Sequence, residues 1–483
     1  MSELSQPHGH GLHVAIVGGG ASGTLTAAHL LRRSAAPGFG VRVTMIDQHG
    51  RHGLGVAYST DRESHLLNAM AGQMSAFPDD PEHLIRWANG AGRKFLPTAS
   101  PVVTDTTFLP RPVYGRYLLQ VLGEAERLTR PAARLTAEAV GIRPRIEGPA
   151  VRVLLADGHL DADVAVLATG NAPAGLPFDA PPDDRIIADP WRPGALDGLL
   201  GGPLPRSVVI AGTGLTMVDL ALAITEVSPK TVVHAVSRHG LLPRTHPGTA
   251  PPANQPLWLP ACFRTSEPVG LVELMGQVRS AIAASPANWH YVMSALRPLV
   301  PGLWRRMPAA DKRLFLRHLA RYWEVHRHLI PPSTASRITA LRMAGRLTIH
   351  QGHVRAVRHA SGRLRAVVDT GSDTVELHAD WLVNSTGAAS DISASASPLL
   401  RDLFRTGLAR PDPLGLGIDA SIRGQVLDAA GTASDVLYTL GPPLRGLWYE
   451  TTAIPEIREQ AAALAWLITA SSAGRERRPG SAA

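Results

Sequence analysis

Two glycine-rich turns, almost two hundred residues apart, constrain this chain more than any other feature. The first is His13-Val-Ala-Ile-Val-Gly18-Gly-Gly20-Ala21-Ser22-Gly23 and the second is Ser207-Val-Val-Ile-Ala-Gly212-Thr-Gly214-Leu-Thr-Met217. In the first, an apolar run from Val14 to Val17 predicts a buried parallel strand, and Gly18, Gly20 and Gly23 follow at G-x-G-x-x-G spacing. That spacing serves a tight turn, close approach of the main chain to a diphosphate, and close packing of helix on strand. Thr24 to Arg33 reads as a helix whose first amides would face the phosphates. A second apolar strand, Val41 to Ile46, ends in Asp47, 24 residues beyond Gly23. A carboxylate there suits a ribose 2′-hydroxyl.

The second turn keeps its strand, Val208 to Ala211, and its helix, Val218 to Glu226, but carries Met217 at the third glycine position. Its next strand, Thr231 to Val236, ends in Ser237-Arg238 instead of an acid. A guanidinium at that point suits a 2′-phosphate, so NADPH is expected over NADH. The other reading is a half-site that keeps the fold without the ligand.

At 483 residues the chain is long enough for two or three domains. The net charge of +8 invites a nucleic-acid partner, but the arginines are scattered through every segment without a block of like charge, so none is expected. Cys262 is the only cysteine, which removes the disulfide reductases that share a two-dinucleotide plan, since they need a redox-active pair. No apolar stretch reaches membrane-spanning length, and residues 1–11 lack the features of a secretory signal, so a cytoplasmic protein without membrane contact is expected. The ends, 1–11 and 471–483, read as disordered.

The chain also echoes itself. Val151 to Gly158 followed by Ala162-Asp-Val-Ala-Val-Leu-Ala168-Thr169-Gly170 is a strand, a turn and a buried strand closing on Thr-Gly. Leu364 to Gly371 followed by Ala379-Asp-Trp-Leu-Val-Asn384-Ser385-Thr386-Gly387 repeats it. Each copy lies downstream of a glycine turn, so Thr169, Gly170, Thr386 and Gly387 become candidate cofactor contacts where the chain leaves each sheet. The fold class expected is α/β, with two Rossmann-like dinucleotide-binding domains and an inserted helical segment. An FAD-binding domain would take 12–205 and 388–470, an NAD(P)-binding domain 206–250 and 347–387, and the helical segment 251–346. In that segment Trp289, Trp304, Phe315, Leu316, Leu319, Tyr322 and Trp323 follow helical periodicity. Its polar side carries Arg305, Arg306, Arg313, Arg317, His318, Arg321, His326, Arg327 and His328. These are either solvated faces or a cationic lid over an anionic substrate. His326-Arg327-His328 makes no metal site, because neighbours on a helix diverge and no third ligand is evident.

Between the first domain's second strand and the Thr-Gly crossing lie His52-Gly53-Leu-Gly55-Val-Ala-Tyr58, the run from His65-Leu-Leu-Asn68-Ala-Met70 to Met74-Ser75-Ala-Phe77-Pro78, and Tyr114-Gly115-Arg116-Tyr117-Leu118. The Asn-to-Phe-Pro stretch resembles the flavin-facing loop of flavin-containing monooxygenases, and the Tyr-Gly-Arg-Tyr-Leu helix resembles the one that follows it there. From about residue 12 to 468 the chain resembles the bacterial FAD/NAD(P)-binding proteins. That likeness includes Ser237-Arg238-His-Gly-Leu-Leu-Pro243-Arg244 and Trp448-Tyr-Glu450-Thr-Thr-Ala-Ile-Pro-Glu456-Ile-Arg458. The resemblance implies FAD and a nicotinamide, and it places Asn68 beside the isoalloxazine as the candidate catalytic residue. The alternative for Asn68 is a side chain satisfying turn amides. After Gly170, where the N-hydroxylating and Baeyer–Villiger enzymes carry Phe-x-Gly-x-x-x-His, this chain has Arg185-Ile-Ile-Ala-Asp189-Pro190-Trp191, so those subfamilies are not supported and the substrate stays open.

Near the carboxyl end, Leu437-Tyr-Thr-Leu440-Gly441-Pro442 reads as a strand feeding a glycine turn, followed by a helix from about Pro455. A helix N-terminus aimed at the flavin would stabilise negative charge there. The expected protein is an FAD-dependent, NADPH-using oxidoreductase. Its first expectation is a monooxygenase acting through a flavin C4a-hydroperoxide on a small, amino-acid-like or anionic substrate, with molecular oxygen. A flavin reductase or dehydrogenase, an FAD-only amine or amino-acid oxidase, and a non-catalytic flavin-binding sensor remain open. The expected cofactor contacts are Gly18, Gly20, Ala21, Ser22, Gly23, Asp47, Thr169, Gly170, Gly212, Gly214, Ser237, Arg238, Thr386, Gly387 and Gly441, with no metal.

Overall fold

The computed structural model describes residues 11–35, 40–145, 148, 150–172, 175–247, 267–284, 289–387 and 391–475, with side chains to 470. Cys262 and the outermost ends lie outside the described residues. The chain opens with β1 (Leu12–Val17), α1 (Ala21–Ser34), β2 (Val41–Asp47), α2 (His83–Asn89), α3 (Arg111–Leu128) and β3 (Ala133–Thr136). There follow β4 (Ala139–Pro144), β5 (Val151–Leu155), β6 (Gly158–Ala162), β7 (Val164–Leu167), β8 (Ile186–Ile187) and α4 (Asp197–Gly201). The second glycine turn joins β9 (Ser207–Ala211) to α5 (Leu215–Val227), and β10 (Val232–Ser237) comes next.

A helical run then comprises α6 (Leu271–Ala284), α7 (Trp289–Leu296), α8 (Val300–Arg306), α9 (Ala309–His318), α10 (Ala320–Arg327) and α11 (Pro332–Met343). After it stand β11 (Leu347–Gln351), β12 (His353–Ala360), β13 (Arg363–Asp369), β14 (Thr374–Ala379), β15 (Trp381–Asn384) and α12 (Pro398–Arg405). The chain ends with β16 (Gln425–Leu427), β17 (Ala433–Thr439), α13 (Arg445–Trp448) and α14 (Ile454–Arg475). Helix α14 thus includes 471–475, which composition read as part of a disordered end.

One sheet has the order β16-β17-β7-β1-β2-β3, in which every pairing except β16 with β17 is parallel. Strand β1 is apolar on both faces because both are covered. Its Val14 and Ile16 join a core with α1, α3 and α14, whereas Ala15 and Val17 join another with the antiparallel β4-β5-β6 sheet and α12. This is the two-residue alternation of a strand expressed as two separate cores.

The second sheet, β11-β10-β9-β15-β8, is parallel throughout. It repeats the plan, with Val208 and Ile210 facing α5 and α11 and Val209 facing the antiparallel β12-β13-β14 sheet. The internal echo read from sequence is therefore a repeated three-stranded sheet leading into a buried parallel strand. Helices α6 to α10 form a core of their own between β10 and β11, and Tyr449 from the carboxyl-terminal segment is part of it. No described helix is long and apolar enough to cross a membrane.

Candidate functional site

At the first turn the glycines separate by role. Gly18 has φ +120° and a Cβ there would lie 2.1 Å from the Ala168 carbonyl oxygen, while a Cβ on Gly23 would lie 2.0 Å from the Gly18 oxygen. Both are needed for the chain to pass itself. Gly20 is different: a Cβ there would make only an ordinary 3.6 Å contact with Gly55. Gly20 is also the N-cap of α1, with no side chain capping that end, so the Ala21, Ser22 and Gly23 amides open a helix toward an accessible face. A diphosphate fits this arrangement.

Asp47 is held in place by main-chain donors. One carboxylate oxygen accepts the Gly19 N–H at 3.0 Å, and the other accepts His49 N–H at 2.9 Å and Arg51 N–H at 3.1 Å. A carboxylate has about four acceptor sites, so this leaves capacity for one ribose hydroxyl.

The carboxyl-terminal segment closes on the same place. Gly441 has φ +73° and a Cβ there would lie 2.6 Å from the Ser22 hydroxyl, so the end of β17 meets the start of α1. The Gly441 N–H donates to Gln460 at 2.7 Å, and the Thr451 hydroxyl donates to the Gly441 carbonyl at 3.0 Å. Thr169 is exposed and Gly170, at φ +72°, sits in open space just past β7.

The loop bearing Asn68 is fixed from behind. The Leu67 N–H donates to the Leu109 carbonyl at 2.8 Å and Ala71 N–H to Thr107 at 2.8 Å. The buried Tyr114 hydroxyl donates to the Met74 carbonyl at 2.9 Å, and the Tyr117 oxygen accepts the Ala76 N–H at 3.0 Å. Gly115 between them lets residues 54–58 pass, since a Cβ would lie 2.8 Å from the Tyr58 carbonyl. That is the physical content of the Tyr-Gly-Arg-Tyr motif. Asn68 itself is half-buried and makes no side-chain hydrogen bond among the described residues.

At the second turn Gly212 has φ +117°, with a virtual Cβ 2.4 Å from the Ser385 carbonyl, whereas Gly214 faces open space and begins α5 without a side-chain cap. Met217 is fully buried in the second domain's core, so it replaces the third glycine by packing inward, away from the open turn. Ser237 is engaged inside the protein, its hydroxyl 2.8 Å from that of Thr213. Arg238 is exposed at the end of β10, with no carboxylate pairing it among the described residues. The His353 ring is nearby; burial lowers its pKa, as do the guanidinium groups of Arg355 and Arg238. Thr386 donates its hydroxyl to Asn384 at 2.8 Å, and a Cβ on Gly387, at φ +98°, would meet nothing within 4 Å among the described residues.

The polar side of the helical segment divides. Arg305, Arg313, Arg317, His318 and Arg321 are exposed. Arg327 instead points inward and pairs with the buried Glu450 at 3.1 Å, which also accepts the Trp323 indole N–H at 2.9 Å. Burial raises the Glu450 pKa, but Arg327 and His328 outweigh it and hold the carboxyl below its usual range. Arg297 donates to both carboxylate oxygens of Glu456, at 2.9 and 3.1 Å, and to Gln73 at 3.1 Å. The segment therefore grips the start of α14 and the Asn68 loop together. Neither reading of the polar side anticipated these partners, since nothing local in the sequence joins Arg297 or Arg327 to Glu456 and Glu450. Among the described residues no group of three or more side chains could hold a metal.

Residues 15–172 match a family model described as FAD-NAD(P)-binding. No curated protein sequence matches the chain. Solved structures do. The chain is similar to an ornithine N-hydroxylase of Kutzneria sp. 744, with TM-score 0.62 and 16% identity over 97% of this chain and 100% of the other. It is similar to the ornithine hydroxylase of Pseudomonas aeruginosa, with TM-score 0.63 and 14% identity over 95% and 99%. It is also similar to the L-lysine 6-monooxygenase of Pseudomonas syringae, with TM-score 0.62 and 18% identity over 95% and 99%. At these identities the likeness establishes the fold: two Rossmann-like units of the FAD/NAD(P)-binding kind.

Proposed function

We propose that this chain is an FAD-dependent, NADPH-using monooxygenase acting on a small, amino-acid-like substrate. One observation carries the reading. Each of the two large sheets presents, at the start of the helix after its first strand, a glycine where a Cβ would meet at most an ordinary contact and helix amides that no side chain caps. Two such cradles on one rigid plan are what a flavin and a nicotinamide dinucleotide require, and the structural neighbours carry the same plan. When bound, the pair would supply hydride transfer from nicotinamide to flavin and activation of oxygen by the reduced flavin.

In this reading Gly18, Gly20, Ala21, Ser22, Gly23 and Gly441 hold the FAD diphosphate and Asp47 its ribose. Gly212 and Gly214 take the nicotinamide dinucleotide, with Arg238 on the 2′-phosphate and Ser237 shaping the strand end through Thr213. Thr169, Gly170, Thr386 and Gly387 line the two crossings. Asn68, whose side-chain amide has no hydrogen-bond partner among the described residues, hydrogen-bonds at the reacting edge of the ring. The ornithine and lysine named for the structural neighbours favour an amino-acid-like substrate. An anionic one gains less support, because Arg297 and Arg327 are already neutralised by Glu456 and Glu450. A single cysteine suits the reducing cytoplasm.

The test is anaerobic reduction of the FAD-loaded protein by NADPH, followed by oxygen in the presence of ornithine, lysine and related amines. Hydroxylated amine is the expected product. Hydrogen peroxide alone would make the protein a flavin reductase or oxidase, and a flavin that NADPH never bleaches would overturn the reading.

A further inference from the structure

The two dinucleotide units touch through a buried charge pair that the proposed chemistry leaves unused. Arg111 opens α3 in the first unit and Asp219 lies in the second turn of α5 in the other; their side chains meet at 2.8 Å with only 12% and 8% exposure. The same guanidinium donates from Nε to the Leu66 carbonyl at 3.1 Å, and the Arg111 N–H donates to the His65 carbonyl at 2.8 Å. The buried His65 ring completes the link. Its Nε2 lies 3.2 Å from the Asp219 carbonyl oxygen and its Nδ1 lies 2.9 Å from the Thr60 hydroxyl. One neutral tautomer satisfies both bonds, with Nε2–H donating to the carbonyl and Nδ1 accepting from the hydroxyl. Burial raises the Asp219 pKa, and Arg111 and His65 offset only part of that rise.

Three facts give this cluster direction. His65 and Leu66 stand just before Asn68, which the proposed function sets beside the flavin. Asp219 stands on the helix that begins at Gly214 in the second cradle. Ser64 adds a bond to Glu226 farther along the same helix, at 2.9 Å. A buried ion pair is a poor source of stability, since apolar side chains of similar volume often do as well. It does fix geometry, because a guanidinium hydrogen-bonded to a carbonyl and ion-paired with a buried carboxylate admits few orientations.

We infer that Arg111 and Asp219 are positioning residues, which set the Asn68 loop at a fixed station against the nicotinamide-side helix and so fix the spacing across which hydride passes. This rests on the function proposed above. The step itself is a transfer of two electrons with one hydrogen nucleus, from NADPH to the flavin, leaving NADP+ and reduced flavin. Its rate is sensitive to the separation that this link controls.

The test uses the full-length, FAD-loaded protein and the apolar replacement R111M/D219L, with Arg111→Lys as a second variant. The paired replacement is expected to melt close to the parent and keep its FAD. Anaerobic reduction at saturating NADPH should slow by about tenfold or more with little change in NADPH affinity. Amide hydrogen exchange across 60–69 should quicken in the same variant, a readout that needs no turnover. Arg111→Lys keeps the charge but cannot serve both the Leu66 carbonyl and the carboxylate, so it should show the same two changes if the double variant fails to fold. Reduction within twofold of the parent together with unchanged exchange across 60–69, in a folded variant, overturns the inference. Failure of the functional reading is separate: it is seen on the parent, as FAD that NADPH does not reduce.

Discussion

Gly18 shows how little a single position in the first cradle tolerates. Its φ of +120° and the 2.1 Å approach to Ala168 leave no room for a methyl group, so Gly18→Ala is expected to yield protein without bound FAD, read from its visible spectrum. Arg238 makes a softer prediction. Arg238→Ala should weaken NADPH by about tenfold or more and leave NADH nearly unchanged, measured as KM for each, because only the former carries a 2′-phosphate for the guanidinium. His29 ties a residue to pH. Burial, helped by Arg32, lowers its pKa to about 4, and its Nε2 donates to the Ala76 carbonyl at 3.2 Å. Since the unfolded chain takes up the proton near 6.5, this histidine's neutral form supports the fold fully above that pH. The support falls away as pH drops toward 4, by on the order of 3 kcal/mol. His29→Gln should flatten the fall in Tm between those pH values. The glycines and Asp47 were legible in the sequence because the strand, turn, helix and strand that place them are continuous in the chain. The Arg111–Asp219 pair was not, because its members belong to different sheets and nothing local announces the meeting.

Periodicity identified most elements and said least about what their polar sides face. The hairpins preceding β7 and β15 were readable as a repeat, since strand alternation and a closing Thr-Gly recur together. Helix α10 was harder. An amphipathic pattern separates one side from the other, but it cannot tell water from a carboxylate on another part of the chain, and Arg327 faces the latter. Glu450→Ala would strand that guanidinium without its partner, at a cost of about 3–5 kcal/mol. The expected outcome is a lower Tm with faster hydrogen exchange in α10 and at the start of α14. The nearby Tyr449, at φ +57° and stacked on Trp304 at 4.5 Å, shows the same junction under local backbone strain. Helix α3 gives the opposite lesson: its tyrosine motif was recognisable by resemblance, and the structure supplies the reason in the Met74 and Ala76 main-chain bonds.

At the scale of the molecule, the first sheet is assembled from both ends of the chain, with β17 inserted against β7 and α14 packed on α1 across the whole length of sequence between them. During synthesis, the strand and helix that complete the first cradle are made after the entire second sheet and the helical segment. Both glycine turns would therefore exist in a nascent chain that has no place to keep its flavin. A chain stopped before residue 430 is expected to emerge colourless even with FAD supplied, while its second sheet still folds and takes up NADP+. On the proposed function, flavin capture therefore waits on β17 and α14.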